Sequence, residues 1–422
     1  MSAVDLPAVP RVLIAEADPW SRDLLKQVLL NVRCDARLDM CGDGRQAATL
    51  LRDKAYDLIV ADWELPGIDG LSLLRNVRQQ RRSPALPFIL LSSRNDSASV
   101  REALPLAPTA YLTKPLNMDG LTQRLQDLLL NEGESVYCEV PRLAPGMTLP
   151  VFLERRRDAC DGAPLWVDVK AAVQDSLGPE GLDLKCLEDR VCMDPQITAV
   201  LIAAANSAGH HGTPVQTLSA ALHKLQAGQS MNLILGLALK HNVVLGDPGL
   251  VAYAERHWQL SQDTADYARR LARMLELDHE RCYSAGILHR LGDLALLRCL
   301  EDWRQGGGAL DDEAIGESLH ALGAAYGSAL RTRWRLPLEL RQLIAAIYSL
   351  EGGVYSREAL VMNLAAQMAR LTEHEGLEAL ARSKTARLLK MGLSELMRLR
   401  KASRAMKFRC GRGKSPPTFA LC

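Results

Sequence analysis

Four points early in the chain carry groups suited to phosphoryl chemistry. Glu16 and Asp18 follow the apolar run VLIA, Asp62 closes YDLIVAD, Ser92 ends FILLS, and Lys114 follows AYLT. Brought together, such groups divide the work. One carboxylate attacks phosphorus, a divalent cation neutralises charge on the transferring oxygens, and the lysine and hydroxyl hold the resulting phosphate.

The segments around these residues alternate in pattern. Runs at 12–15, 57–61, 88–92 and 110–113 read as buried strands, and SRDLLKQVLLNV from Ser21 and LSLLRNVRQQ from Leu71 carry leucines at helical spacing. Such alternation predicts a parallel sheet with helices on both faces and functional groups at the carboxyl ends of its strands. Residues 10–130 form one α/β domain on this reading, and 131–164 form a linker stiffened by Pro and Gly.

Beyond Leu165 the strand-like runs stop and helix signals take over. Asp194-Pro195 opens ITAVLIAAANSA, Thr217 caps LSAALHKLQAG with Gly228 as its stop, Ser261 caps QDTADYARRLARMLEL, and Pro337 opens LELRQLIAAIYSL. The fold class is therefore α/β followed by all-α. A helical domain covers 165–352, a helical extension 353–409 (basic from 381), and a disordered tail 410–422.

The runs VLIAEADP, YDLIVADWELPGIDGLSLL, LSS and AYLTKPL, in that order, resemble a response-regulator receiver domain, a doubly wound (βα)5 flavodoxin-like fold. The resemblance implies that Asp62 is the phosphoacceptor for a sensor histidine kinase. It implies that Lys114 binds the phosphate, that Ser92 is the switch hydroxyl, and that Tyr111 is the aromatic whose rotamer carries the signal outward. A Mg2+ site would use Glu16, Asp62 and the backbone carbonyl of Glu64, with Asp18 as a further candidate. One position departs from the pattern. Receivers carry two adjacent acids after the first strand, and here the pair is Glu16-Ala17. Strand alternation aims Asp18 differently, and a hard-cation site short of one carboxylate holds Mg2+ weakly. A silent receiver serving as an unphosphorylated scaffold is the alternative that Ala17 leaves open.

The second half resembles the HDOD domain, an all-helical signalling module related to HD-type metal-dependent phosphohydrolases. WVDVKAAVQDSL, DPQITAVLIAAANSA, TPVQTLSAALHKLQAG, YSAGILHRLGDLALL and GESLHALGAAYGSALRTRWRLPLEL carry the likeness over about 160–352. The hydrolases bind metal through adjacent His and Asp, whereas here His289 is followed by Arg290. A guanidinium beside the remaining histidine repels a cation, so neither a metal nor catalytic hydrolase residues are expected and His289 reads as a satisfied core histidine. His210-His211 and the Glu317/His320 pair lack further ligands in sequence. The resemblance implies output through protein–protein contacts with a downstream partner; the rival reading is a hydrolase of nucleotides or cyclic dinucleotides.

Composition narrows the remaining classes. The 422 residues, 48% hydrophobic with a net charge of +1, support real cores and give no global attraction to nucleic acid or anionic lipid. The charge is uneven, however: residues 381–414 hold twelve Lys or Arg and one acid, Glu395. That segment reads as a solvated basic helix, with nucleic-acid or membrane contact as the alternative. The ten scattered cysteines read mostly as small buried apolar groups in a reducing compartment, and the N-terminus lacks the basic start and apolar run of a signal peptide. A cytoplasmic response regulator is expected, with homodimerisation through the receiver as the family default.

Overall fold

A computed structural model describes residues 9–80, 84–94, 96–114, 116–130, 143–178, 181–207, 212–240, 244–350, 355–371 and 376–410. His210, His211 and the tail expected to be disordered from 411 onward lie outside the described residues. The chain divides into two compact units. One is Met1–Val140 together with Gln226–His241, and the other is Pro141–Leu225 together with Asn242–Cys422.

In the first unit, β1 (Arg11–Ala15), β2 (Arg37–Cys41), β3 (Leu58–Asp62), β4 (Phe88–Ser92) and β5 (Ala110–Thr113) form one sheet in the order β2-β1-β3-β4-β5. Every pairing is parallel. Helices α1 (Pro19–Val32), α2 (Gly44–Asp53), α3 (Gly70–Gln79), α4 (Ser97–Ala103) and α5 (Met118–Leu129) connect the strands. Each begins at a polar cap, Asp18, Asp43, Asp69, Asp96 and Asn117, whose side chain accepts a backbone N–H of the first turn.

Alternate strand residues serve opposite cores. Leu13, Ile59, Phe88 and Leu90 face one side, and Val12, Ile14, Leu58, Val60, Ile89 and Leu91 face the other with α1 and α5. Both faces being covered explains the continuous apolar runs of β1, β3 and β4. Strand β2, RLDMC, escaped the sequence reading because it is an edge strand whose Arg37 and Met40 are exposed. Segment Gln226–His241 belongs to this unit: Leu239 packs on the α1/α5 core, and Lys240 Nζ lies 2.9 Å from Asp23 Oδ2 on α1.

The second unit is built from helices. They are α6 (Leu149–Ala159), α7 (Val169–Asp175), α8 (Leu184–Val191), α9 (Pro195–Ala205), α10 (Leu218–Ala238, of which the part before Gln226 belongs here) and α11 (Pro248–Met274). There follow α12 (His279–Leu288), α13 (Leu291–Gln305), α14 (Asp312–Arg333), α15 (Leu338–Tyr348), α16 (Arg357–Arg370), α17 (Leu377–Ala381), α18 (Lys384–Leu388) and α19 (Leu393–Cys410). A two-residue-per-strand hairpin, β6 (Leu177–Gly178) with β7 (Gly181–Leu182), interrupts the all-helical pattern.

Several boundaries differ from expectation for identifiable reasons. The segment read as linker contains α6, whose Leu153 is buried. The helix that opens at Leu218 breaks at Gln226 (φ 63°, ψ 170°), two residues before the Gly228 expected to stop it, and a second helical segment follows. Ser261 is not a cap but a fully buried residue inside α11, which starts at Asp247-Pro248. The basic stretch from 381 carries two helices, α18 and α19, after the short α17. Among the cysteines, Cys34 is disulfide-bonded, an exception to the reading of mostly buried thiols in a reducing compartment, while Cys41, Cys160, Cys282 and Cys299 are free and buried.

Asp194, fully buried, organises the start of the helical unit. Its Oδ1 caps α9 by accepting the N–H groups of Gln196 (2.9 Å) and Ile197 (3.0 Å). Its Oδ2 accepts those of Trp166 (2.7 Å) and Val167 (3.2 Å). Further on, a Cβ on Gly286 would fall 2.4 Å from Ala265 Cα, so glycine is what lets α12 lie directly against α11.

Candidate functional site

The carboxyl ends of β1, β3 and β5 bring Glu16, Asp62 and Lys114 together. Lys114 Nζ donates to Glu16 Oε2 at 2.7 Å and to Asp62 Oδ2 at 2.9 Å. Both acids are buried, at 1% and 4% exposure. The main chain fixes them: Glu16 N–H donates to the Cys41 carbonyl and Trp63 N–H to that of Leu91, while Arg22 Nη1 donates to the Glu16 carbonyl at 2.6 Å. Gly70 lets α3 return over the site, since a Cβ there would sit 2.1 Å from the Asp62 carbonyl oxygen.

Charges in this pocket are strongly coupled. Burial raises the Glu16 carboxyl above its ordinary value; the Lys114 ammonium opposes that shift and the Asp62 carboxylate adds to it. Burial works to lower the Lys114 value, but the two carboxylates outweigh it and the ammonium is held above the ordinary lysine range.

Asp18 stands apart from this cluster. Its N–H donates to Glu16 Oε1 at 3.0 Å, but its carboxylate turns to α1, accepting from Ser21 N (2.8 Å) and Ser21 Oγ (2.9 Å). Asp18 makes both of these bonds through Oδ2, while the carboxylates that Lys114 bridges are those of Glu16 and Asp62; the Glu64 N–H donates to Asp62 Oδ1 at 3.3 Å. Two carboxylates suit Mg2+, which keeps several waters, better than a cation needing a full protein cage.

Ser92 is fully buried, and its Oγ accepts the Arg94 N–H at 3.0 Å. Tyr111, half-buried against the core, donates to the Arg94 carbonyl at 2.7 Å. The Arg94 guanidinium lies 5.2 Å from the Trp63 ring centroid and 3.7 Å from Glu64 Oε1, and Trp63 meets Tyr111 edge-on at 6.3 Å. Arg94 and Trp63 were not singled out by sequence. Much of what Arg94 contributes runs through its main chain, which leaves no residue-type signal.

In the helical unit, His289 is buried at 1% exposure. Its Nδ1 donates to the Gly286 carbonyl at 2.7 Å, but Nε2 has no partner, so the histidine is half satisfied rather than satisfied. Burial drives its pKa down to about 3, helped by the Arg290 charge, which keeps the ring neutral. Arg290 Nη1 meets Asp293 Oδ2 at 3.3 Å. Glu317 and His320 are exposed on α14. Among the described residues no three His, Cys, Asp or Glu side chains converge as a metal-holding group.

Residues 12–126 match the response regulator receiver domain, which puts the α/β unit in the class its strand order and acidic pocket suggest. Residues 163–350 match the HDOD domain, so the chain is a response regulator in which a receiver domain precedes an HDOD domain. The regulatory protein VanRB of Enterococcus faecalis is 32% identical over 155 residues, covering 37% of this chain and 66% of that protein. The transcriptional regulatory protein AfsQ1 of Streptomyces coelicolor is 36% identical over 121 residues, 29% of this chain and 52% of its own length. The chain therefore spans roughly half to two thirds of these relatives. The solved receiver domain of the Francisella response regulator 1452 is 33% identical and covers 28% of this chain and 95% of that one, with a TM-score of 0.26. Among the described residues no helix is long and apolar enough to cross a membrane.

Proposed function

We propose that Asp62 accepts a phosphoryl group from a sensor histidine kinase and that the HDOD domain passes the signal on by binding a downstream protein. The observation that carries this reading is the bridge from Lys114 Nζ to both Glu16 and Asp62. A carboxylate already facing a fixed ammonium has its product charge compensated in advance, as phosphoryl transfer requires. Mg2+ would be held by Glu16, Asp62 and the Glu64 carbonyl, and when bound it would neutralise charge on the phosphoryl oxygens. Ser92 and Lys114 would then close on the phosphate, drawing on the loop that Tyr111 grips. The non-catalytic HDOD output rests on Arg290, a cation at the position where the related hydrolases carry a metal-binding aspartate.

Incubating the full chain and its Asp62→Ala variant with Mg2+ and acetyl phosphate tests the proposal by intact mass. An adduct of one phosphoryl group confined to the unsubstituted chain is expected. No adduct at any Mg2+ concentration, with acetyl phosphate or with histidine kinases, would favour the silent-receiver reading, in which Asp18 spent as a helix cap and Ala17 leave the cation site too weak.

A further inference from the structure

Part of the stretch that matches HDOD is folded into the receiver unit. The match spans 163–350, yet Gln226–His241 belongs to the first compact unit. The break that opens this segment falls at Gln226, whose φ of 63° lies in a region that a residue with a Cβ seldom adopts. Past the break, four residues at near-helical spacing meet the receiver. They are Asn232, Gly236 one turn later, and Leu239 and Lys240 just beyond the helix end.

Each of the four has a particular partner. The Asn232 side-chain amide pairs both ways with the Leu116 backbone, donating to its carbonyl at 3.1 Å and accepting its N–H at 2.9 Å. Gly236 lies so close to α1 that a Cβ there would fall 2.5 Å from Leu24 Cδ1. Leu239 packs on the core to which Leu24 and Leu116 belong. Lys240 is buried, with Nζ 2.9 Å from Asp23 Oδ2, and an ammonium held that far from water is costly to unpair. These partners are next in the chain to residues that build the acidic pocket. Asp23 and Leu24 follow Arg22, which donates to the Glu16 carbonyl. Leu116 stands two residues beyond Lys114, whose ammonium bridges Glu16 and Asp62 and whose N–H donates to the Ser92 carbonyl.

We infer that residues 226–241 form a latch that holds the pocket in its unphosphorylated arrangement and is released when Asp62 is phosphorylated. The inference rests on the proposed phosphorylation of Asp62. A phosphoryl group there puts its oxygens where Lys114 now meets Oδ2, so the lysine has to re-seat and the chain leading to Leu116 moves with it. Two hydrogen bonds to the N–H and C=O of one residue tolerate such a shift poorly, because both weaken steeply as distance and angle depart from ideal. With Asn232 loosened, the close approach at Gly236 and the buried Lys240–Asp23 pair are what remain of the contact. Segment and phosphoryl group therefore oppose one another. A pocket that must first shed its latch is competent only in the unlatched fraction, so breaking the latch favours phosphorylation.

The test is hydrogen exchange of the full chain before and after acetyl phosphate with Mg2+, with intact mass read on the same samples. Exchange in peptides covering the segment is expected to rise about fivefold or more once the adduct forms, and not in Asp62→Ala. In Asn232→Leu the segment should exchange fast from the start, and the phosphorylated fraction at a fixed acetyl phosphate concentration should rise. Lys240→Met, which removes the ion pair and leaves the Asn232 amide, should act in the same direction, and circular dichroism verifies that each variant is folded. A contact that is merely structural would speed exchange in both variants without raising the phosphorylated fraction. That result, or an adduct that leaves exchange of the segment unchanged, overturns the latch while phosphorylation of Asp62 stands. No adduct on the unsubstituted chain or on either latch variant overturns both.

Discussion

The Tyr111 hydroxyl donates to the carbonyl of Arg94, whose own N–H donates to Ser92 Oγ. The two groups that would report phosphorylation are therefore held by one residue, and its guanidinium lies over Trp63, next in sequence to Asp62. If Ser92 is drawn toward a phosphate, the Arg94 loop must shift and the Trp63 indole loses its cationic cover. Acetyl phosphate with Mg2+ is expected to change tryptophan emission, and Trp63→Phe or Asp62→Ala should abolish the change. Emission that responds identically in Trp63→Phe would sink the coupling.

Lys114 neutralises two buried carboxylates at once. Replacing it with Met keeps most of the stem and removes the charge, at an expected cost of about 1–3 kcal/mol at neutral pH. The sign with pH follows from Glu16, whose folded pKa already lies above 4.5. A raised carboxyl contributes stability that is present below its unfolded value and is lost as pH rises through the folded value. Without Lys114 that value climbs further, so the deficit of Lys114→Met should shrink as pH falls below about 5. Urea unfolding at a series of pH values measures it, and a deficit independent of pH would refute the assignment.

The residues of the receiver pocket were legible because parallel strands buried on both faces declare themselves as apolar runs, and their ends locate Glu16, Asp62, Ser92 and Lys114 without further information. The orientation of Asp18 was legible in part, through alternation, though its use as the α1 cap is a matter of local hydrogen bonding. Edge strand β2 was not legible, because exposure permits Arg37 and Asp39 in a strand. Nor was the interior position of Ser261. It depends on which helices meet, and helical periodicity states only that a face is apolar, never which partner covers it.

His289 makes the helical unit sensitive to acid. Its pKa is depressed from 6.5 to about 3 by burial and by the neighbouring Arg290. Above pH 6.5 folded and unfolded chains both hold a neutral ring, so the stability is fully present there. As pH falls the unfolded chain takes up a proton first, and stability declines through the window down to about 3. The steepest slope from this one residue is about 1.4 kcal/mol per pH unit. His289→Gln should flatten the decline relative to the unsubstituted chain in thermal or urea unfolding, whereas parallel curves would mean that the ring is already protonated in the fold.

Asp194 carries the last prediction, because its two oxygens do different jobs. Oδ1 caps α9 and Oδ2 holds the Trp166–Val167 backbone, beneath a Trp166 ring that packs 4.8 Å from that of Trp258. Asp194→Ala strands four N–H groups, two of them buried and two half-buried, and should cost about 3 kcal/mol. Asp194→Asn has a single acceptor oxygen, so in either amide orientation one pair keeps its partner and the other faces an NH2 group. The expected order of stability is therefore unsubstituted, then Asn, then Ala. Hydrogen exchange distinguishes which pair is lost in Asn: fast exchange at Trp166 and Val167 with α9 still protected means that the cap is retained. Protection of all four amides in Asp194→Asn would show that the carboxylate does not divide its work in this way.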